Sequence, residues 1–208
     1  MKWKVMNRLA PTFLFFAVAA ALAQDAPIVN KGTTEIGGFV GASYGTQNFQ
    51  VMGGGNVSYA ITKAIMPYAE FSYFPGLPIN KNLTGTIGDA GTTATANYRL
   101  PLSDFHVGVH YRIPLKESPF VPYGVFGVGL LHSSQSTYDF DYTQFGNKVV
   151  QMNTLDAANN FAYNFGAGVR YYTRQKVGFR VEAKFYHVGG IINGIFSKYE
   201  FGVFYQFH

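Results

Sequence analysis

The chain has 208 residues, with 16 Lys or Arg against 11 Asp or Glu, no cysteine, and a mean hydropathy of +0.03. The length suits one domain, with or without a leader. Charged residues at 13% fall well below the roughly 25% usual in soluble domains, near-zero hydropathy excludes a bundle of apolar helices of about 20 residues each, and the absence of cysteine excludes disulfide and thiolate chemistry. What remains is a chain rich in Phe (20), Tyr (15) and Gly (24), whose apolar residues alternate with polar ones.

Residues 1–23 read as a secretory signal. Lys2, Lys4 and Arg8 form a basic start, Phe13 to Leu22 an apolar segment, and Ala21-Leu22-Ala23 a small-x-small cleavage site before Gln24. Removing this leader takes three basic residues, leaving 13 basic and 11 acidic side chains and a net charge of +2. The high pI is largely a property of the leader, so no nucleic-acid partner is inferred. A short tail, 24–33, precedes the first strand. Residues 34–208 form the remaining domain.

Eight strands are predicted, at 34–44, 51–61, 65–75, 103–113, 120–132, 160–172, 177–187 and 197–207, from period-two alternation. In 103–113, Phe105, Val107, Val109, Tyr111 and Ile113 oppose His106, Gly108, His110 and Arg112. The segment FVPYGVFGVGLLH (120–132) is apolar on both parities, so its faces stay unassigned. In 160–172, Phe161, Tyr163, Phe165, Ala167, Val169 and Tyr171 oppose Asn164, Gly166, Gly168 and Arg170. The segment VGFRVEAKFYH (177–187) divides in the same way. In the last strand Tyr199, Phe201, Val203, Tyr205 and Phe207 oppose Lys198, Glu200, Gly202 and Gln206.

Connections alternate in length. Short turns lie around Thr62-Lys63-Ala64 and at PLKESP and TRQK, and the other set is 45–50, 76–102, 133–159 and 188–196. All short turns therefore fall at one end, as in transmembrane barrels, which keep short turns on the periplasmic side and long loops outside. Ten residues at roughly 3.3 Å, tilted about 40°, cover roughly 25 Å, the height of an outer-membrane apolar band. The long segments are read as loops. GTIGDAGTTATAN (85–97) is small and polar; 133–160 carries Tyr138, Phe140, Tyr142, Phe145, Asp139, Asp141 and Asp156.

The charges follow the same parity. Glu35, Glu70, Glu182 and Glu200 share the polar face with Arg112, Arg170, Arg180, Lys184 and Lys198, while Glu117 sits in a turn and the six Asp lie outside strand interiors, Asp104 counted as flanking. Near balance of sign is needed only where these residues line a narrow lumen, because an unpaired buried charge costs several kcal/mol. Eight strands leave an interior that side chains just fill. The expectation is an all-β, eight-stranded antiparallel up-and-down transmembrane β-barrel with a closed, salt-bridged lumen. A lipocalin-type barrel shares the period turned inside out. Aromatics toward strand ends on the apolar face and glycines on the polar face favour the membrane form.

FGAGVRYYTRQKVGFRVEAKFYH (165–187) and PYGVFGVGLLH (122–132) resemble the sixth–seventh hairpin and fifth strand of small OmpA-like outer-membrane β-barrels. The resemblance implies a single barrel, without the peptidoglycan-binding domain of some relatives, in the outer membrane of a Gram-negative-type bacterium. It implies contact with outer-membrane lipid and lipopolysaccharide. It also implies a C-terminal signal for the barrel-assembly machinery on Tyr199, Phe201, Val203, Tyr205 and Phe207, offset by the final His208. A monomer is expected.

No enzyme, cofactor or metal is expected. His106 and His110 share a face but stand about 13 Å apart along a strand, too far to hold one ion. His132-x-Ser134 is similar to the His–x–Ser pair of barrel lipid-A deacylases but sits on the wrong strand, and in YHVGGIING (186–194) Gly189 stands where the nucleophile belongs. The reading is a non-enzymatic closed barrel with a structural or surface-display role, its extracellular ligand contacted by 76–102 and 133–159. The alternatives are a small channel and, less favoured, a lipid-modifying barrel enzyme.

Overall fold

The computed structural model describes residues 29–45, 49–76, 79–87, 90–98, 101–116, 118–144, 147–173, 176–189 and 194–207. Residues 1–28, which hold the expected leader and the start of the expected tail, lie outside these, as do Glu117 and residues 190–193. Eight strands close into an antiparallel barrel: β1 (Thr34–Tyr44), β2 (Phe49–Tyr59), β3 (Ile65–Phe74), β6 (Leu102–Arg112), β7 (Phe120–Ser133), β10 (Ala158–Tyr172), β11 (Val177–Val188) and β12 (Gly194–Phe207). β1 pairs with β12 from Thr34↔Phe207 to Tyr44↔Ser197, so no edge is left unpaired. Following cross-strand partners from Glu35 through Ser58, Tyr68, Gly108, Gly127, Asn164 and Tyr186 leads to Phe196. Phe196 stands one step past the Ser197↔Tyr44 pair, level with Gly45, so the circuit returns ten residues along the first strand. A stagger of this size goes with a strand tilt of about 40°.

The short turns are built from local hydrogen bonds. Between β2 and β3, the Thr62 hydroxyl oxygen accepts from the amides of Ala64 and Ile65 at 3.1 and 2.8 Å. Between β10 and β11, the Thr173 hydroxyl donates to the Val177 carbonyl. Threonine in such turns replaces the missing ladder partners.

One expectation is corrected. The long segments are not plain loops. They carry β4 (Ile79–Ile87), β5 (Ala90–Tyr98), β8 (Ser136–Gln144) and β9 (Asn147–Leu155), which form a second sheet in the order β4-β5-β8-β9. This order repeats that of the barrel strands they follow, β3-β6-β7-β10, and only residues 134–135 and 156–157 separate β8 and β9 from the barrel. Four adjacent wall strands therefore continue outward as one sheet, with β5 pairing β8 from Ala94↔Tyr142 to Tyr98↔Tyr138. Period-two hydrophobicity is faint in β4 (INKNLTGTI), where Ile79, Leu83 and Ile87 share a parity with Lys81 and Gly85, and in β5 (AGTTATANY), where Ala90, Ala94, Ala96 and Tyr98 share one with Thr92. Their Thr content was the available signal.

The outward positions of the barrel form a continuous apolar belt. Val40, Phe71, Phe105, Phe126, Leu130, Phe161, Phe165, Val181 and Phe201 are all exposed, far more contiguous apolar surface than a protein in water presents. On β10 the belt runs from Phe161 to Tyr171, a span of roughly 25 Å along the barrel axis at this tilt. A row of polar neighbours, Ser103, His132 and Asn159, marks its outer edge. The belt meets lipid. β7, apolar on both parities, resolves cleanly: Val121, Tyr123, Val125 and Leu131 point inward and are buried, while Phe126, Val128 and Leu130 face out.

Glycine serves opposite ends on the two faces. A Cβ on Gly168 would come within 2.6 Å of the Tyr123 ring and one on Gly178 within 2.2 Å of the Phe204 ring, so these lumen glycines make room for large side chains. A Cβ on the outward Gly53 would meet nothing closer than the Phe39 carbonyl at 3.6 Å. Gly168→Val should therefore lower the stability of the refolded protein by about 1–3 kcal/mol, the usual cost of overpacking. Gly53→Val should leave it unchanged or raise it. Urea midpoints in lipid vesicles check the contrast, and an equal loss in both variants would contradict the assigned faces.

Candidate functional site: a charge network inside the barrel

Strand alternation brings Glu35, Glu70, Arg112, Arg170, Arg180, Glu182, Lys184, Lys198 and Glu200 into the lumen, and all nine are buried. Asp104 joins them. Rather than flanking its strand, it lies inside, buried, and accepts from Lys198 Nζ at 3.0 Å. β6 begins at Leu102, so Asp104 is its third residue, on the same parity as His106, His110 and Arg112. Among the described residues the lumen then holds five carboxylates and five guanidinium or ammonium groups. Sequence reasoning missed Asp104 because strand ends are the least legible part of an alternation pattern.

The centre is a knot of three carboxylates around one ammonium. Lys184 Nζ lies 2.5 Å from Glu70, 2.7 Å from Glu182 and 3.1 Å from Glu200. Arg180 bridges Glu70 and Glu200 at 3.2 and 3.4 Å, and Lys198 reaches the same two at 3.1 Å each. Oxygens of the three Glu fall within 4.8 Å of one another, close enough to suit a metal ion. The Lys184 ammonium already takes the place that such a cation would fill, so the residues present do not call for a metal.

Two further clusters flank this knot. Toward the long-connection end, Lys198 also donates to Ser72 at 2.7 Å and meets Tyr186 Oη at 3.1 Å, while Asp104 contacts His106. Toward the short-turn end, Glu35 accepts from Arg170 at 3.1 Å, Tyr172 at 2.9 Å and Gln206 at 3.3 Å, with Arg112 3.9 Å away. Arg112 donates to the Thr62 carbonyl at 2.9 Å. His110 joins the clusters. Stacked on Tyr68 at 4.2 Å, it accepts from Arg170 at Nδ1, 3.1 Å, and turns Nε2 toward Glu182, 3.6 Å away. Tyr123 donates to Glu182 at 2.5 Å, and the Arg170 guanidinium lies 4.3 Å over its ring. Polar contacts thus follow one another from Thr62 near one end to His106 near the other.

Apolar side chains cover both ends of this column. At the long-connection end, Phe39, Met52, Phe74, Leu102, Leu131, Ala162, Tyr186, Val188 and Phe196 form one buried cluster drawn from all eight barrel strands. At the short-turn end the cluster is Val29, Val121, Tyr172 and Phe204. In such surroundings attraction between charges is little screened, and each charge left without a partner is costly.

The other sequence candidates fall elsewhere. His132 lies on the outward face, with Nδ1 2.8 Å from Asn159 Oδ1, a neighbour across the β7–β10 ladder. Tyr199, Phe201, Val203, Tyr205 and Phe207 lie exposed along the outer face of β12. Phe145 lies outside the described residues, as do the side chains of Tyr138, Phe140 and Tyr142.

A closed barrel with a lipid-facing belt and a charge-matched interior defines a transmembrane β-barrel of the outer-membrane type. A family model described as the outer membrane protein beta-barrel domain matches residues 10–207, and the chain belongs to that family. Among solved structures, neisserial surface protein A is 12% identical, with 84% of this chain and 96% of that one aligned at a TM-score of 0.51. The attachment invasion locus protein Ail of Yersinia pestis is 12% identical over 85% and 99%, TM-score 0.47. The N-terminal barrel of Pseudomonas aeruginosa OprF is 15% identical over 85% and 98%, TM-score 0.42. At these identities the likeness is one of fold. No curated protein sequence matches the chain.

Arg180→Ala leaves Glu70 and Glu200 each short of a partner, whereas Phe179, on the lipid face and 37% exposed, loses only part of an outer contact. Arg180→Ala should destabilise the barrel by about 3–5 kcal/mol, and more than Phe179→Ala does. Equal or reversed losses in urea unfolding would contradict a structural role for the network.

Proposed function

We propose that this protein is a non-enzymatic outer-membrane barrel, closed to solutes, that serves as a rigid platform for the β4-β5-β8-β9 sheet on the cell surface. The observation that carries this reading is the matching of five buried acids to five buried bases between two apolar end clusters. A water-filled pore has no need of such matching, because water and counter-ions neutralise its lining. The short turns face the periplasm and the sheet faces the medium, following the general arrangement of such barrels.

The surface sheet is the working part. β4 and β9 are its edges, and an edge strand offers unpaired amides and carbonyls to an extended segment of an extracellular ligand. The aromatic outer face of β12, from Tyr199 to Phe207, is read by the barrel-assembly machinery. The Ser103–His132–Asn159 row meets the head-group region of outer-leaflet lipopolysaccharide. His132 has its Nδ1 engaged by Asn159 and faces out of the barrel, which supports a boundary role over catalysis.

Refolded protein that resists SDS until heated should give no steady conductance in a planar bilayer. Steady, ion-selective openings would replace the platform reading with that of a channel. Shortening the hairpins at 79–98 and 136–155 to tight turns should leave SDS resistance intact, since every barrel pairing remains. Loss of the folded form would show that the sheet belongs to the barrel's own stability instead.

A further inference from the structure

The two ends of the lumen are closed by different means. The outer cluster takes side chains from every wall strand, so it cannot part without opening the wall itself. The inner cluster has three wall residues, Val121, Tyr172 and Phe204, and one that belongs to no strand. That residue is Val29, 5% exposed although it precedes β1 by five positions. A turn at Lys31-Gly32 brings it back over the mouth, with Gly32 at φ +84°, a conformation favouring glycine. Two hydrogen bonds fasten the turn to the wall, Gly32 N to Ala60 O and Ala60 N to Thr33 O, each 2.8 Å.

Val29 covers a particular set of groups. Tyr172, beside it in the cluster, donates to Glu35, which also pairs with Arg170. Phe204 stacks edge-on to Tyr172 at 5.3 Å and lies under the Arg170 guanidinium at 5.8 Å. Behind the lid, the Glu35 carboxylate faces two guanidiniums, those of Arg112 and Arg170.

We propose that residues 29–33 are a detachable stopper: Val29 seats in the inner mouth and keeps water from the Glu35–Arg112–Arg170 cluster, and its release wets the lower lumen while the wall stays closed. An apolar side chain on a short strap outside the barrel ladder leaves its seat at far lower cost than any wall residue, because no ladder has to break. This inference rests on the closed-lumen reading and names the element that closes the inner end.

The absence of cysteine makes the test direct. Ser58 is buried, points inward and stands opposite Glu35 across the β1–β2 ladder, so Ser58→Cys reports on this layer. Labelling of Ser58→Cys by a water-soluble thiol reagent is measured on full-length protein folded in lipid vesicles, each variant first shown to resist SDS unheated. With Val29 present labelling should be slow. Adding Val29→Asn should speed it by about tenfold or more, equivalent to about 1.4 kcal/mol in the seating equilibrium. Gly32→Val, which strains the turn without touching the lumen, should do the same, and Val29→Leu should stay slow. Slow labelling in both Val29→Asn and Gly32→Val overturns the stopper alone. Rapid labelling with Val29 in place overturns the closed lumen, and the stopper with it.

Discussion

The constraint on which the rest depends is the neutralisation of charge inside a tube whose charged side chains are buried. Lys184 sits among three glutamates, and Arg180 and Lys198 complete the set. Removing one member leaves the others facing unmatched charge in a medium that screens poorly. The network ties residues on β3, β6, β11 and β12 together across the bore. It therefore fixes strand register as well as charge, since a slip by one residue would turn a whole strand's charges into lipid.

Other features follow from fitting ten charged side chains and several aromatic rings into this bore. Glycines at lumen positions such as 168, 178 and 108 supply the volume taken by Tyr123, Phe204 and Tyr68. Aromatic rings fill space that the charges leave: Phe39 lies 5.0 Å from the Arg180 guanidinium, and Tyr68 stacks on His110. Tyrosine suits this role because its ring packs while its hydroxyl meets a carboxylate, as Tyr123 does with Glu182 and Tyr172 with Glu35.

Much of this was legible wherever one face of a strand is apolar and the other is not. The parities of β10, β11 and β12 assigned lumen and lipid faces residue by residue, and all nine charges assigned to the polar face are buried. β7 was illegible because its inward residues are themselves apolar, with Val121 in one end cluster and Leu131 in the other. The strands of the second sheet read as loops for another reason: alternation is faint in β4 and β5, where Lys81, Gly85 and Thr92 interrupt the apolar parity. In β8, Tyr138, Phe140 and Tyr142 do alternate with Asp139 and Asp141, but the signal lies inside a long connection between barrel strands. The place of Val29 could not be read at all. An apolar residue in a short tail has no periodic partner, and its burial depends on a turn geometry that composition does not encode.

The outward continuation of only four strands has a mechanical consequence. Because β5 and β8 are joined rung by rung, the two surface hairpins cannot swing separately. Each is also attached to the wall through a few residues, so a pull on either hairpin is shared between β3 and β6 on one side and β7 and β10 on the other. On the opposite side of the rim β1, β2, β11 and β12 carry no such extension among the described residues, and load reaches them only across the wall ladders and the lumen ion pairs. A pull on the second sheet therefore enters the barrel off its axis, through β3, β6, β7 and β10 before the rest of the wall. The extension is stiff along its strands and marks one side of the barrel rim, which gives the molecule a preferred direction in the plane of the membrane.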